Sequence, residues 1–297
     1  MPAPYYCSPG NKSSHNVCLN KEGLVHYIKK YNEYYSSDPI VTNLYEDERV
    51  LIQAIRKKLE KQCKNKGDWC WVDQQFIQED PYIQSYYKPK IPQSRNQWLT
   101  TSDIDKVITP YERIFPDFKY LGAVPLDFDS LRGYRLSSNN YCLHYNREGK
   151  KKIGAVFNLD THDKRGSHWV SMFFDLDQHY IAFFDSVGVK NPPKEISVLM
   201  NNIKRQIEQC MDHRFKRYAA NRKIDFLVNR KNIQKGNSEC GVFCIYFILK
   251  CLLGDTPDKI FNDPYLSDRT VNYFRARVFR PSIYSDNSLF SEQGYEI

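Results

Sequence analysis

Residues 234–253 read Gln-Lys-Gly-Asn-Ser-Glu-Cys-Gly-Val-Phe-Cys-Ile-Tyr-Phe-Ile-Leu-Lys-Cys-Leu-Leu. A polar loop gives way at Cys240 to an apolar run broken only by Lys250 and stopped by Gly254. The run is shorter than the roughly 18 apolar residues a bilayer span needs, so it reads as a buried core helix. The N-terminus of such a helix offers unpaired backbone N–H groups and the positive end of a dipole, both of which favour negative charge. A cysteine placed there is poised to become thiolate, the form in which a thiol attacks. Cys244 and Cys251 lie inside the run and read as packing residues. A cysteine without context is most often buried and inert, so the case rests on what accompanies it. Gln234 precedes Cys240 in the loop, where its side-chain amide could donate to the same oxyanion as the Cys240 N–H.

Upstream, 153–159, 169–174 and 180–184 are β-branched or aromatic runs separated by turn-forming residues, and Asp177 with Gln178 predicts an antiparallel pair from the last two. His168 stands at the mouth of the middle run, just before Trp169, and Asp185 ends the third. Pairing those strands brings a carboxylate to an imidazole, which it would hold in one tautomer and stabilise when charged. A histidine beside tryptophan is also a common structural residue, so this pairing is the condition on which a base at His168 depends.

Further out, Pro192 and Pro193 open a helix with Ile196, Leu199, Met200, Ile203 and Ile207 on one face, and 224–228 returns as a strand. Thr100 and Asp103 stand in a capping-box relation that starts a helix ending near Phe115, and a basic helical tail covers 271–279. Toward the N-terminus, Asn20 caps an amphipathic helix through Leu24, Tyr27, Ile28 and Tyr31, and a second stripe runs Leu44, Leu51, Ile55, Leu59 and Cys63. Residues 80–94, with three prolines, read as a linker or extended strap. Strands and helices mix without a regular βαβ rhythm, which predicts an α+β fold. The expected division is a helical region at 1–95 and a second domain at 96–297.

The chain has 297 residues, 41% apolar and 14% aromatic, which indicates a folded protein rather than a disordered one. The start Met1-Pro-Ala-Pro lacks the basic and apolar segments of a secretory signal, and no stretch is long enough to enter a membrane. A cytosolic or intravirion address follows, and with it the expectation that the nine cysteines are reduced thiols. Cys7, Cys18, Cys63, Cys70 and His15 lack the paired spacing of a structural zinc site, so no metal or other cofactor is expected. The net charge of +8 is scattered among 35 acidic residues and reads as a solvated surface, compatible at most with weak polyanion binding.

The ordered set Gly166-Ser-His-Trp-Val, Phe183-Phe-Asp-Ser and Gln234-Lys-Gly-Asn-Ser-Glu-Cys-Gly-Val resembles the ubiquitin-like-protein protease and adenoviral protease superfamily. Upstream, 97–104 and 118–128 are similar to thiol proteases of giant DNA viruses, with the African swine fever virus polyprotein protease a more distant relative; the likeness covers about 97–280. It implies a papain-like α+β catalytic domain, with a central mixed sheet flanked by helices and a helical N-terminal extension. It also implies His168 as general base, Asp185 as its partner, Cys240 as nucleophile, Gln234 as oxyanion donor, and Trp169 as a wall of a narrow channel for glycine-like backbone. Glu239 stands where cellular relatives carry aspartate, which keeps the charge. The implied substrates are proteins or viral structural polyproteins cut after small residues, Gly-Gly-X or Gly-Ala-X, in the virion or host cytoplasm. Removal of ubiquitin or a ubiquitin-like modifier is the second reading. An acetyltransferase on the same residues and a non-catalytic module that grips glycine-tailed partners are the rivals from other classes.

Overall fold

The computed structural model describes residues 5–12, 15–92, 97–214 and 223–283. The expected boundary between 95 and 96, and residues 1–4 that bear on a secretory signal, lie outside the described residues. The chain divides into two compact units, Met1–Gln97 with Arg275–Ile297, and Trp98–Phe274. Among the described residues, 275–283 group with the N-terminal unit.

The first unit is built from short helices: α1 (Lys21–Tyr34), α2 (Glu48–Lys58), α3 (Glu60–Cys63) and α4 (Pro81–Gln84), with a 3-10 stretch at Asp68–Asp73. Asn20 caps α1 by accepting from the Gly23 N–H. The stripe that the sequence places from Leu44 to Cys63 is not one helix, because α2 begins only after its cap at Asp47 and stops at Leu59. The expected strap at 80–94 contains α4, then runs extended so that Cys7 bridges Tyr87 and Lys90 bridges Arg280. Leu24, Tyr27, Ile28, Leu51, Ile55, Trp71 and Val72 form its buried core.

The second unit is a mixed sheet of five strands in the order β1 (Phe118–Pro125), β2 (Lys152–Asn158), β3 (Trp169–Asp175), β4 (Tyr180–Phe184) and β5 (Asp225–Val228). The pairs β1–β2 and β4–β5 are parallel, and β2–β3 and β3–β4 are antiparallel. Its helices are α5 (Thr101–Ile108), α6 (Tyr141–Glu148), α7 (Lys194–Arg214), α8 (Cys240–Leu252) and α9 (Pro257–Phe261), and α10 (Asp268–Val278) carries the chain past the boundary at Phe274. Parallel neighbours need a crossover; α6 lies on the one between β1 and β2 and α7 on the one between β4 and β5. All of β3 is buried, so its residues serve two layers by alternation. Val170, Met172 and Phe174 join Ile181 and Phe183 of β4 against Ile196, Leu199 and Ile203 of α7. On the opposite face Phe184 stacks on Phe247 of α8 and Phe261 of α9. The α+β expectation holds, with the capping box of Thr100 and Asp103 in place. The helix it opens ends at Ile108 and continues to Arg113 only as a 3-10 turn.

The expectation of reduced thiols is overturned. Cys7–Cys18, Cys63–Cys70 and Cys142–Cys210 are disulfides with Cα–Cα distances of 5.3, 5.8 and 5.9 Å, leaving Cys240, Cys244 and Cys251 free. The first two pairs are close in sequence and are joined by local turns, whereas the third joins α6 to α7, which sequence separation conceals. The cysteine content thus gives no support to a reducing address. No helix among the described residues is long and apolar enough to cross a membrane.

Candidate active site

Antiparallel pairing puts the start of β3 and the end of β4 at one edge of the sheet. His168 immediately precedes β3 and Asp185 immediately follows β4, so the side chains meet there: His168 Nε2 lies 2.7 Å from Asp185 Oδ1. The Leu159 N–H donates to the His168 carbonyl at 2.9 Å and fixes the backbone on the other side. The carboxylate is buried, with 2% of its side chain exposed, and Oδ1 also accepts from the Val187 N–H at 3.0 Å.

Cys240 is the first residue of α8, and it lies close enough to His168 to raise the pKa of the ring. Because Asp185 engages Nε2, the nitrogen open to the sulfur is Nδ1. Burial of the ring, the largest influence, would lower its pKa; the hydrogen bonds to Asp185 and Cys240 and their charges outweigh it and raise the value from 6.5 to about 9. The imidazolium is therefore favoured beside the thiol over the whole neutral range. By contrast Cys244, one turn along, has its pKa pushed well up by burial and stays a neutral thiol.

The approach to α8 is shaped by side chains turned away from its N-terminus. Glu239 makes no cap to the helix; its carboxylate accepts from the Ser238 N–H and hydroxyl at 3.0 Å and from Asn272 Nδ2 at 3.2 Å. Asp268 Oδ2 accepts from the Lys235 and Gly236 N–H groups at 2.9 and 2.8 Å, which curls the loop over the start of α10. The first N–H groups of α8 are thereby left without a side-chain cap, as an anion site requires.

Gln234 is buried at the head of this loop: its Oε1 accepts from the Ser186 hydroxyl at 2.6 Å and its Nε2 donates to the Gly236 carbonyl at 3.0 Å. Trp169 is buried, with its indole N–H on the Leu99 carbonyl at 2.9 Å. A Cβ added to Gly241 would stand 3.1 Å from Leu99 Cβ and 3.3 Å from Trp169 Cδ1, so these two side chains press on the backbone that follows the thiol. Sequence reasoning passed over Ser186, Asn229, Leu99 and Asp268, all of which hold the site; a serine directly after Asp185 at a strand end was the available signal. Among the described residues, no group of three or more His, Cys, Asp or Glu is arranged to hold a metal ion.

A thiol on a helix N-terminus beside an imidazole that meets a buried carboxylate is the arrangement of the cysteine hydrolases. The family model of the Ulp1 protease family C-terminal catalytic domain matches residues 144–286. A protein of Acanthamoeba polyphaga mimivirus that carries a provisional thiol-protease name is 31% identical over 95% of this chain and 96% of its own. The crystal structure of the African swine fever virus protease superposes with a TM-score of 0.65 and 18% identity over 95% of this chain and 98% of that one, a likeness of fold. The chain belongs to the Ulp1 protease family and is a cysteine protease.

Proposed function

We propose that Cys240 hydrolyses peptide bonds after small residues, at Gly-Gly-X or Gly-Ala-X sites of viral structural polyproteins, through an acyl-enzyme. The Cys240 sulfur attacks the scissile carbonyl carbon, and the electron pair moves to its oxygen. The Cys240 N–H and Gln234 Nε2 donate to that oxyanion. His168 passes its proton to the amine nitrogen as the C–N bond breaks, then takes a proton from water, whose oxygen attacks the thioester carbon; the C–S bond breaks, its electron pair returns to the Cys240 sulfur, and the acid product leaves. Asp185 keeps Nε2–H toward itself and Nδ1 toward the sulfur throughout. The observation that carries this reading is the 2.7 Å contact of His168 Nε2 with Asp185, on the ring whose pKa Cys240 also raises. Trp169 and Leu99, packed against Gly241, favour a narrow slot beside the thiol, which suits residues without bulky side chains. The mimivirus relative favours a viral setting, with the particle and host cytoplasm as its places of action.

A second reading, an isopeptidase for ubiquitin or a ubiquitin-like modifier, is favoured by the match to the Ulp1 family. The full chain is to be incubated with ubiquitin-like proteins bearing a C-terminal electrophile and, separately, with Gly-Gly-X and Gly-Ala-X peptides. Cleavage of the peptides with no labelling by the modifiers is the expected result; labelling by the modifiers alone transfers the function to the second reading. Label transfer from acetyl-CoA without cleavage would instead support an acetyltransferase, and binding of Gly-Gly peptides that Cys240→Ala leaves intact, with no cleavage by the wild type, a binding module.

A further inference from the structure

The turn after β4 and the loop that leads to α8 are tied together more closely than the proposed chemistry at His168 and Cys240 requires. Asn229, fully buried after β5, donates from Nδ2 to the Asp185 carbonyl at 2.6 Å. The Ile233 and Gln234 N–H groups both donate to the Ser186 carbonyl, at 2.8 and 2.9 Å. Gly188 has φ +75°, and a Cβ there would fall 2.6 Å from the carbonyl carbon of Lys231, so the loop crosses the turn at backbone contact. Within this seam the Ser186 hydroxyl, 1% exposed, reaches the Gln234 amide.

The direction of that amide follows from its partners. The Gly236 carbonyl only accepts, so the end of Gln234 facing it is the NH2 group, and the end facing Ser186 is the oxygen. The serine hydroxyl is then the donor. With Oε1 bound by Ser186 and one N–H by Gly236, a single N–H of the amide remains outside the clamp. Were the amide to turn over, it would offer an oxygen to the developing oxyanion and oppose the reaction.

We infer that Ser186 is a positioning residue for the protease reaction: its hydroxyl holds the Gln234 amide so that an N–H, and not the carbonyl oxygen, is presented to the oxyanion. The inference rests on the reading of Gln234 as oxyanion donor. One turn thus carries both the acid that orients His168 and the hydroxyl that orients Gln234, and each acts on a different step of charge development.

The test is kinetic, on the full chain with a Gly-Gly aminocoumarin amide as substrate and iodoacetamide alkylation of Cys240 as a second readout. Gln234→Ala lowers kcat about a hundredfold or more, and Ser186→Ala lowers it about tenfold with KM unchanged, the size of one lost hydrogen bond. The double variant loses no more than Gln234→Ala, and Ser186→Thr, which keeps the hydroxyl, recovers the activity. The rate of alkylation and its pH profile stay as in the wild type for Ser186→Ala, because the thiol and imidazole are untouched. Losses that multiply in the double variant, or an alkylation profile that moves, would overturn the inference and place the serine's effect on Asp185 or on the fold. Wild-type kcat in Gln234→Ala would instead remove the oxyanion reading of the glutamine and the inference with it; a normal loss there with none in Ser186→Ala would remove the inference alone.

Discussion

In the unit at 98–274 every residue of the central strand is buried, and side chains alternate between α7 on one face and the aromatic stack of α8 and α9 on the other. In the unit made by 1–97 and 275–297 the described residues form only isolated bridges, and two short-range disulfides and a buried ion pair accompany the apolar core. That ion pair joins Arg280 to Asp73, both without exposed side chain, at 2.7 Å, with Gln84, Lys90 and the Ile283 N–H among the further partners. The difference shows two ways of offsetting chain entropy: a sheet that shares one large core, with a single disulfide between α6 and α7, and two short-range disulfides with an ion pair where helices of four to fourteen residues bury less. The proposed chemistry sits in the first kind, where the sheet edge holds His168 and Asp185 without help from a staple.

The sharpest way to break this contrast is to strike each unit where it is predicted to depend on a few atoms. Cys240→Ala and His168→Ala are each expected to lower kcat/KM by about four powers of ten or more, since such a set acts as a unit, with urea unfolding little changed. Activity within tenfold of wild type in both would end the assignment. Cys142→Ser opens the longest disulfide loop, with 68 residues of separation, and should cost about 4 kcal/mol in urea unfolding. Arg280→Met takes the guanidinium from the buried Asp73 carboxylate; Lys90, 3.2 Å away, keeps the loss near the low end, about 3 kcal/mol. Cys63→Ser, which opens a separation of 7 residues, should cost about 2 kcal/mol. An inverted order, with the short loop costing more than the long one, would show that native-state packing and not loop entropy governs these links.

The smallest effect sharpens the electrostatic side. His168 is raised from 6.5 to about 9 by its partners, so its charged form adds stability that is full below 6.5 and lost as pH rises through about 9. Activity that needs the imidazolium falls over the same range. Asp185→Asn removes one raising partner, and the alkaline limb of kcat/KM should move from near 9 toward 6.5. A limb that stays put would assign the raised value to the sulfur alone.

Much of the second unit was legible because β2, β3, β4 and α8 are long apolar or alternating runs with clear punctuation. The strand β1 was not read as one: Gly122, at φ +101°, and Pro125 interrupt its pattern, and its register with β2 shifts between Tyr120 and Ala123. The helix α6 is too polar to show a stripe and is marked by its Asn140 cap and by Gly149 at its end. His168, Asp185 and Cys240 could be proposed from strand pairing and helix position, whereas Ser186 is marked only by its place after Asp185, and the contact of Asn229 lies between distant loops that no local pattern records. The disulfides were hidden for a like reason, since spacing fixes neither the approach of α6 to α7 nor the turn that closes Cys63 on Cys70.

The most direct test is mass spectrometry of the intact chain after reaction with a Gly-Gly peptide carrying a C-terminal vinyl electrophile. One adduct, mapped to Cys240 and absent in His168→Ala, is the predicted result, with Cys244 and Cys251 unmodified. An adduct on either of those two cysteines, or undiminished labelling of Cys240 without the imidazole, would contradict a nucleophile activated by His168.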